Sequence, residues 1–189
     1  NGHIVKRLYK ESIPLFINTV GSWFTNQSGI WIATAVLGVS IIADYSILIQ
    51  LTFYGLSISL SIPSAINPFA SSAFSTGGVN SIHKYFFMTL KSSTFIVGFW
   101  VVILAIWGNN ILDLWIGQGH FLGYAVLIPL LINLFLEMQH SINGGFVWNT
   151  GRWPFVPVTL TAGLLNVVFG FIGCHYWGFA GLASGTMLA

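Results

Sequence analysis

Charged side chains are scarce in this sequence. Only six Lys or Arg and four Asp or Glu occur among 189 residues, so that 5% of the chain is charged. Soluble domains are about a quarter charged, and so few charges cannot cover a water-soluble globule of this length. The sequence therefore predicts a protein whose surface is mostly covered by lipid, and we expect no nucleic-acid partner.

Cysteine and the common catalytic motifs are also lacking. Cys174 is the single cysteine, which excludes an internal disulfide and any cysteine-based metal site. A glycine-rich phosphate loop, GxSxG, HExxH and Cys/His metal spacings do not occur. His140 lies at mid-depth of an apolar segment, but no second histidine pairs with it for haem ligation. We expect a protein that is not an enzyme and that has no metal and no cofactor.

Apolar residues, in contrast, are abundant. They form 55% of the chain, and the mean hydropathy is +0.82. The apolar runs are continuous and do not alternate, which favours helices over barrel strands. A spanning helix needs about 20 apolar residues, and turn-rich stretches such as residues 71–81 separate the runs. The predicted spans are 12–37, 43–69, 85–107, 121–146, 153–177 and 179–189, the last incomplete.

The position of the basic residues predicts a topology. If every segment crosses the membrane, all six lie on one side, which is the cytoplasmic side in most membrane proteins. We therefore expect the N-terminus of this chain in the cytoplasm, and a chain that is a fragment of a longer protein, because it starts at Asn1 and stops within an apolar run. Lys91 must extend its side chain back to the interface. The six residues are Lys6, Arg7, Lys10, Lys84, Lys91 and Arg152.

Polar residues recur at helical spacing within the apolar segments. A polar group that faces lipid costs free energy, so such stripes face either a water-filled cavity or neighbouring helices, to which they hydrogen-bond. Both interpretations stay open for single residues, and the cavity explains several stripes together. The predicted cavity residues are Asn26, Gln27, Gln50, Tyr54, Ser57 and Asn133.

Glu137 is the only acid placed well inside an apolar segment. It lies roughly 13 Å from the end of its segment, with His140 one turn further on. No Lys or Arg at mid-depth pairs with it, and a lone acid in a membrane helix is costly and commonly functional. We predict an ion- or proton-coupling site at these two residues. Asp44 and Asp113 are isolated in the sequence and are interpreted as helix caps or solvated loop residues.

Small residues mark the last two segments. Gly163, Gly170 and Gly173 share one face of the fifth segment, and Gly181 and Gly185 have the small-xxx-small spacing in the sixth. Such faces allow helix backbones to approach closely. The pattern therefore predicts tight helix packing.

Four stretches, in this order, carry a resemblance to a known family. KESIPLFINTVGSW has a basic residue before a short polar and proline-containing start, and SGIWIATAVLGVSIIADYSILIQL has Gly29 where many members have Asp. NILDLWIGQ is similar to an outer-loop motif. NTGRWPFVPVTLTAGLLNVVFGFIGCHYWGFAGLASGTMLA is similar to a closing signature with "tGr", "lN" and "yG". Together they resemble the polysaccharide-biosynthesis flippases of the MOP superfamily, which include the O-antigen (Wzx-type) translocases and are related to the MATE exporters.

The resemblance implies a fold and a function. It implies an all-α integral membrane protein, here one six-helix lobe with a truncated last helix, whose partner is a missing second lobe of the same chain. It also implies the translocation of an undecaprenyl-diphosphate-linked oligosaccharide across a bacterial or archaeal cytoplasmic membrane by alternating access. Diphosphate contacts would come from that second lobe or from Lys91 and Arg152 at the cytoplasmic mouth. A MATE-like cation-coupled drug exporter and a membrane-embedded glycosyl- or acyltransferase are the alternatives.

Overall fold

The chain is almost entirely helical. The computed structural model describes the backbone of residues 2–39, 42–148 and 156–189, while the side chains of residues 2–8, 10, 11, 15, 26 and 156 lie outside the described part. This confirms the predicted all-α class. The helices are α1 (Gly2–Leu37), α2 (Ile42–Gly77), α3 (Val79–Ile116), α4 (Tyr124–Trp148) and α5 (Val156–Leu188).

Four helices of the described part are long and apolar enough to cross a membrane. They are α2, α3, α4 and the Pro157–Leu188 portion of α5. These lengths and compositions indicate a multi-pass membrane protein. Helix α1 is not among the four, and polar residues such as Asn18, Ser22 and Thr25 interrupt its apolar run. The crossing of residues 12–37 therefore stays a prediction.

The second and third helices extend beyond the apolar spans. The turn-rich residues 71–81 are helical except at Gly78, which has φ 67° and ψ −156°, a conformation that is essentially restricted to glycine. Hydroxyl groups in this stretch bond back to carbonyls of the preceding turn, as Ser71 Oγ does when it donates to the Asn67 carbonyl at 3.0 Å. Helix α2, with 36 residues, is about 54 Å long, which exceeds the about 30 Å of a hydrocarbon core.

The chain divides into two units. The first combines residues 1–38 with 153–189, so that α1 packs against α5. Buried polar pairs join these helices: Thr159 Oγ1 donates to Asn18 Oδ1 at 2.8 Å, and Asn166 Nδ2 donates to the Thr25 carbonyl at 2.7 Å. The Asn166 Oδ1 atom is buried without a partner among the described residues, which reduces the net gain from this contact.

Helix α5 is interrupted at Gly178. This residue has φ 58° and ψ −138°, so the chain reverses direction there. The backbones of Gly173 and Gly181 then touch, and a Cβ atom on either residue would overlap the carbonyl group of the other. Gly185 likewise lies against the backbone of Phe169. The two arms of α5 correspond to the predicted fifth and sixth apolar segments, and the small residues lie between them.

The second unit, residues 39–152, contains α2, α3 and α4, each in contact with the other two. Pro63 has no N–H to offer the Ser59 carbonyl one turn earlier, and Ser93 Oγ of α3 donates to that carbonyl at 2.9 Å instead. Trp100 crosses α2 at Gly55, where any side chain would overlap the indole ring. The indole Nε1 of Trp100 also donates to the Leu51 carbonyl of α2 at 3.2 Å. Hydrogen bonds from Ser93 and Trp100 and the close approach at Gly55 therefore join α2 and α3.

We expect Gly181→Ala to destabilise the first unit. The added methyl group would overlap the Gly173 backbone, which cannot move aside as a flexible side chain would, and overpacking of this kind costs about 1–3 kcal/mol. Thermal unfolding of the purified protein in detergent measures the effect as a lower Tm. Gly98→Ala is the matched control, because a Cβ atom there meets nothing within 4 Å. An equal Tm in both variants would contradict the packing of the two arms.

Candidate functional site

The predicted site residues fall in both units. Gln27 lies on α1 in the first unit, and the others that can be placed lie on α2, α3 and α4 in the second. The Asn26 side chain and Arg152 lie outside the described residues. The residues of the second unit are Gln50, Tyr54, Ser57, Lys91, Asn133, Glu137 and His140.

Helix α2 presents an exposed polar stripe. Gln50 Nε2 donates to the Tyr54 hydroxyl at 2.9 Å, and Ser57 Oγ donates to the Phe53 carbonyl at 2.9 Å. Ser61 and Ser64 bond to carbonyls of the preceding turn in the same way. These hydroxyl protons are satisfied within one helix, and each oxygen keeps an acceptor lone pair. The stripe is therefore stable without a partner helix and still able to accept hydrogen bonds from a ligand.

Glu137 lies half-buried on α4. It accepts a hydrogen bond from Ser141 Oγ at 3.3 Å, and its charge interacts with the exposed His140 on the same helix. In the described part of the chain, no lysine or arginine forms an ion pair with it. Asn133, also half-buried, precedes Glu137 by one turn on the same face. The structure thus brings the predicted acid, histidine and amide of α4 into one short stripe.

A small groove lies between α2 and α4. Its volume is about 170 Å³, below the roughly 300 Å³ at which ligand pockets usually begin, so it has room for water or for one part of a larger ligand. Ser141 lines the groove and also bonds to Glu137, so the groove begins one turn from the acid. The lining residues are Leu60, Pro63, Ser64, Asn67, Ser141, Ile142, Gly145 and Phe146.

Pro68 adds an acceptor beside this groove. Because proline has no N–H, the Ser64 carbonyl one turn earlier loses its usual helical donor. Ser64 itself lines the groove together with Asn67. Neither Asn67 nor this carbonyl was predicted from the sequence, although the spacing of Ser64 and Pro68 is a visible signal for the latter.

Lys91 of α3 and Glu137 of α4 lie at similar positions along the helix axes of the second unit. Ser93 of α3 is level with Ser59 of α2, and Ser141 of α4 shares the groove with Ser64. Counting along the helices from these contacts places Lys91 and Glu137 within about one turn of each other. Lys91 is exposed, and about 18 Å of helix separates it from the start of α3. Its predicted place at the cytoplasmic mouth therefore requires the side chain to extend along the helix.

Asp44 lies in the first turn of α2, close to the helix start that the sequence-based interpretation expected, but it is not isolated. Its Oδ1 atom lies 2.8 Å from Nδ1 of His120, which belongs to the connection between α3 and α4. That connection contains Gly117 and Gly119, whose φ angles of 100° and 93° let it fold back towards the start of α2. Seventy-six positions separate the two residues, so no local sequence pattern could have predicted the pair.

An aromatic cluster surrounds Gln27 on α1. Trp23 and Trp31 have ring centroids 5.1 Å apart and stack edge to face, and Phe24 lies 5.7 Å from Trp23 and 6.1 Å from Trp31. Gln27 is four residues from each tryptophan, which places all three side chains on one helix face. These rings were not among the residues predicted from the sequence, although their spacing is a visible signal.

A double-mutant cycle tests the pair of Asp44 and His120. Both side chains are partly exposed, at 25% and 45%, so we expect a coupling free energy of about 0.5–1 kcal/mol that decreases with added salt. The measurement is the thermal stability of Asp44→Ala, His120→Ala and the double variant. Asp113→Ala combined with His120→Ala is the control and should be additive, since Asp113 pairs with Asn109. Additivity in both cycles would show that Asp44 and His120 do not interact.

Comparison with known proteins adds no relative. No protein-family model, curated protein or solved structure matches the chain. The likeness to the polysaccharide flippases therefore rests on the four sequence stretches, and the function that it implies stays a proposal.

Proposed function

We propose that this chain is a lobe of a membrane transporter that moves an undecaprenyl-diphosphate-linked oligosaccharide from the inner to the outer leaflet of a bacterial or archaeal cytoplasmic membrane. The observation that carries the proposal is the exposed hydroxyl and amide stripe of α2, which leads to a groove against α4 beside Glu137. The order of the four family-like stretches supports it independently.

The polar groups of α2 suit an uncharged glycan. Sugar hydroxyls donate and accept hydrogen bonds, and the stripe offers serine oxygens with free lone pairs together with the Gln50 amide. Tyr54, which is exposed and lies 6.4 Å from Trp115 between ring centroids, adds an aromatic surface. Binding through such weak and replaceable contacts allows a glycan to enter and to leave, as a transporter requires.

The diphosphate requires positive charge. Lys91 is exposed at a level near Glu137, and in this proposal it contacts the diphosphate together with Arg152 and with the second lobe. Phosphate recognition by lysine acts mainly through charge and not through a fixed geometry. The proposed orientation, with the N-terminus in the cytoplasm, follows from the distribution of basic residues.

Glu137 is the proposed coupling group. A half-buried carboxylate without a lysine or arginine partner among the described residues changes its charge when it takes up a proton or a cation. In an alternating-access cycle between two lobes, such a charge change favours one orientation over the other. His140, which interacts with Glu137 electrostatically, would adjust this equilibrium.

A cation-coupled drug exporter of the MATE type is the second candidate. The same feature favours it, because an acid without a basic partner in the described part of the chain attracts cationic drugs. Deletion of the gene separates the two: loss of surface polysaccharide supports the flippase, and drug sensitivity with normal polysaccharide supports the exporter. A membrane-embedded glycosyl- or acyltransferase would instead show transfer of a labelled sugar or acyl group in membranes containing the protein.

We expect Glu137→Gln to reduce translocation at least about tenfold, because the amide keeps the shape of the side chain but cannot change its charge. The assay follows a labelled lipid-linked oligosaccharide from one leaflet to the other in proteoliposomes of the complete protein, with an unchanged elution profile as proof of folding. Asp113→Asn is the matched control, since it makes the same change from acid to amide at a residue that bonds to Asn109 and does not line the groove. We expect it to retain most of the activity.

Each other outcome of this assay has a defined meaning. A wild-type rate in Glu137→Gln would remove the coupling role from this residue and leave the flippase proposal standing. If the wild-type protein shows no translocation under any ion gradient, the flippase proposal is overturned.

A further inference from the structure

We propose that Trp23, Phe24, Gln27 and Trp31 of α1 form a binding subsite for one uncharged sugar ring. This subsite rests on the proposed function, which supplies a glycan as substrate, and it adds residues and a ligand class to it. The side chains lie on one face of one helix and belong to the first unit.

The aromatic rings are accessible. Trp23, Phe24 and Trp31 are 49%, 44% and 50% exposed, although they touch one another. In an edge-to-face pair, at least one ring face is left uncovered by its partner. The face of an aromatic ring is electron-rich, and the C–H groups on the less polar side of a sugar ring carry partial positive charge, so the two surfaces attract each other.

Gln27 supplies hydrogen bonds between the two tryptophans. It lies four residues after Trp23 and four before Trp31, and its side chain is partly exposed. The structure shows no hydrogen bond from it to any described side chain or backbone group. Its amide offers two donors and one acceptor oxygen, which is the combination that adjacent hydroxyl groups on a sugar ring require. Aromatic stacking and amide hydrogen bonds thus meet at one place.

The lack of charged residues around the aromatic cluster indicates a neutral ligand. Residues 12–37 contain no Asp, Glu, Lys or Arg, so this face complements a neutral ligand and offers nothing to a carboxylated or phosphorylated one. The depth also matters, because tryptophans that anchor a helix lie near the membrane interfaces. In the predicted 12–37 span, Trp23 lies roughly 17 Å or more from either end, and Trp31 lies about 9 Å from the end at Leu37. An interfacial anchor would not require the position of Trp23 or the amide beside it.

Binding of a neutral disaccharide tests the subsite directly. Equilibrium dialysis of the complete protein in detergent against radiolabelled maltose measures the affinity, and we expect Trp23→Ala and Trp31→Ala each to weaken it about tenfold. Trp23→Phe should restore most of the binding, because it keeps an aromatic face. Trp177→Ala is the matched control: this tryptophan is 72% exposed on α5, and its substitution should leave the affinity unchanged. Glucuronic acid, which is charged, should compete with maltose more weakly than glucose does, which has the same ring without the carboxylate.

Transport kinetics separate the subsite from the proposed function. If the protein translocates lipid-linked oligosaccharide, Trp23→Ala should raise KM about tenfold with little change in kcat, because the lost contact serves binding. Translocation with unchanged KM and unchanged maltose binding overturns the subsite and leaves the flippase standing. Maltose binding that depends on Trp23, in a protein without translocation, overturns the flippase and leaves the subsite standing.

Two further results would also overturn the subsite. The first is a wild-type protein that binds no maltose. The second is a lower Tm in the tryptophan variants with unchanged affinity, which would show that the cluster packs against another helix. If the tryptophan-to-alanine variants do not fold, Gln27→Leu and Trp23→Phe replace them in the same dialysis experiment. An unchanged maltose affinity in Gln27→Leu would then count against the proposal.

Discussion

Hydrogen bonds between polar groups and backbone carbonyls of the same helix are the interaction on which the other features depend. A membrane offers no water to polar groups in its core, so each must find a partner inside the protein. Along α2 the hydroxyls of Ser57, Ser61 and Ser64 find theirs in the preceding turn of their own helix. This leaves the polar face of α2 free of any need for a neighbouring helix, and for that reason it is available to a ligand.

Where a backbone carbonyl has no donor within its own helix, a side chain of a neighbouring helix donates to it. This hydrogen bond fixes how the two helices pack. Pro63 deprives the Ser59 carbonyl of its donor, and Ser93 of α3 replaces it. In the first unit, Asn18 and Asn166 of α1 and α5 make the corresponding contacts across the helix pair. Glycine at close approaches, as at Gly173 and Gly181, brings the backbones near enough for dispersion contacts to contribute. The same residue types thus set both the register and the distance of the helices.

Glu137 and Gln27, to which the proposals assign roles, form few or no hydrogen bonds with the described residues. Glu137 has one weak hydrogen bond and no basic partner in the described part of the chain, and Gln27 has exposed aromatic neighbours in place of polar ones. Burial of polar groups without hydrogen bonds costs free energy, and apolar packing does not offset this cost. Such groups keep charge or hydrogen-bonding capacity for a substrate or an ion, in addition to the acceptor lone pairs of the α2 hydroxyls.

Composition and residue spacing were enough to predict the structural class and the helical faces. Scarce charge, continuous apolar runs and helical spacing predicted an all-α membrane protein and placed Asn133, Glu137 and His140 on one face, because composition and period are local properties. The contacts between residues far apart in the chain, in contrast, could be seen only in the folded protein. The contact of Asp44 with His120, the groove that joins Ser64 to Ser141 and the reversal of α5 at Gly178 depend on loop conformation and on helix register. Loop conformation and helix register leave no periodic pattern in the sequence, because both are fixed by contacts between residues far apart in the chain.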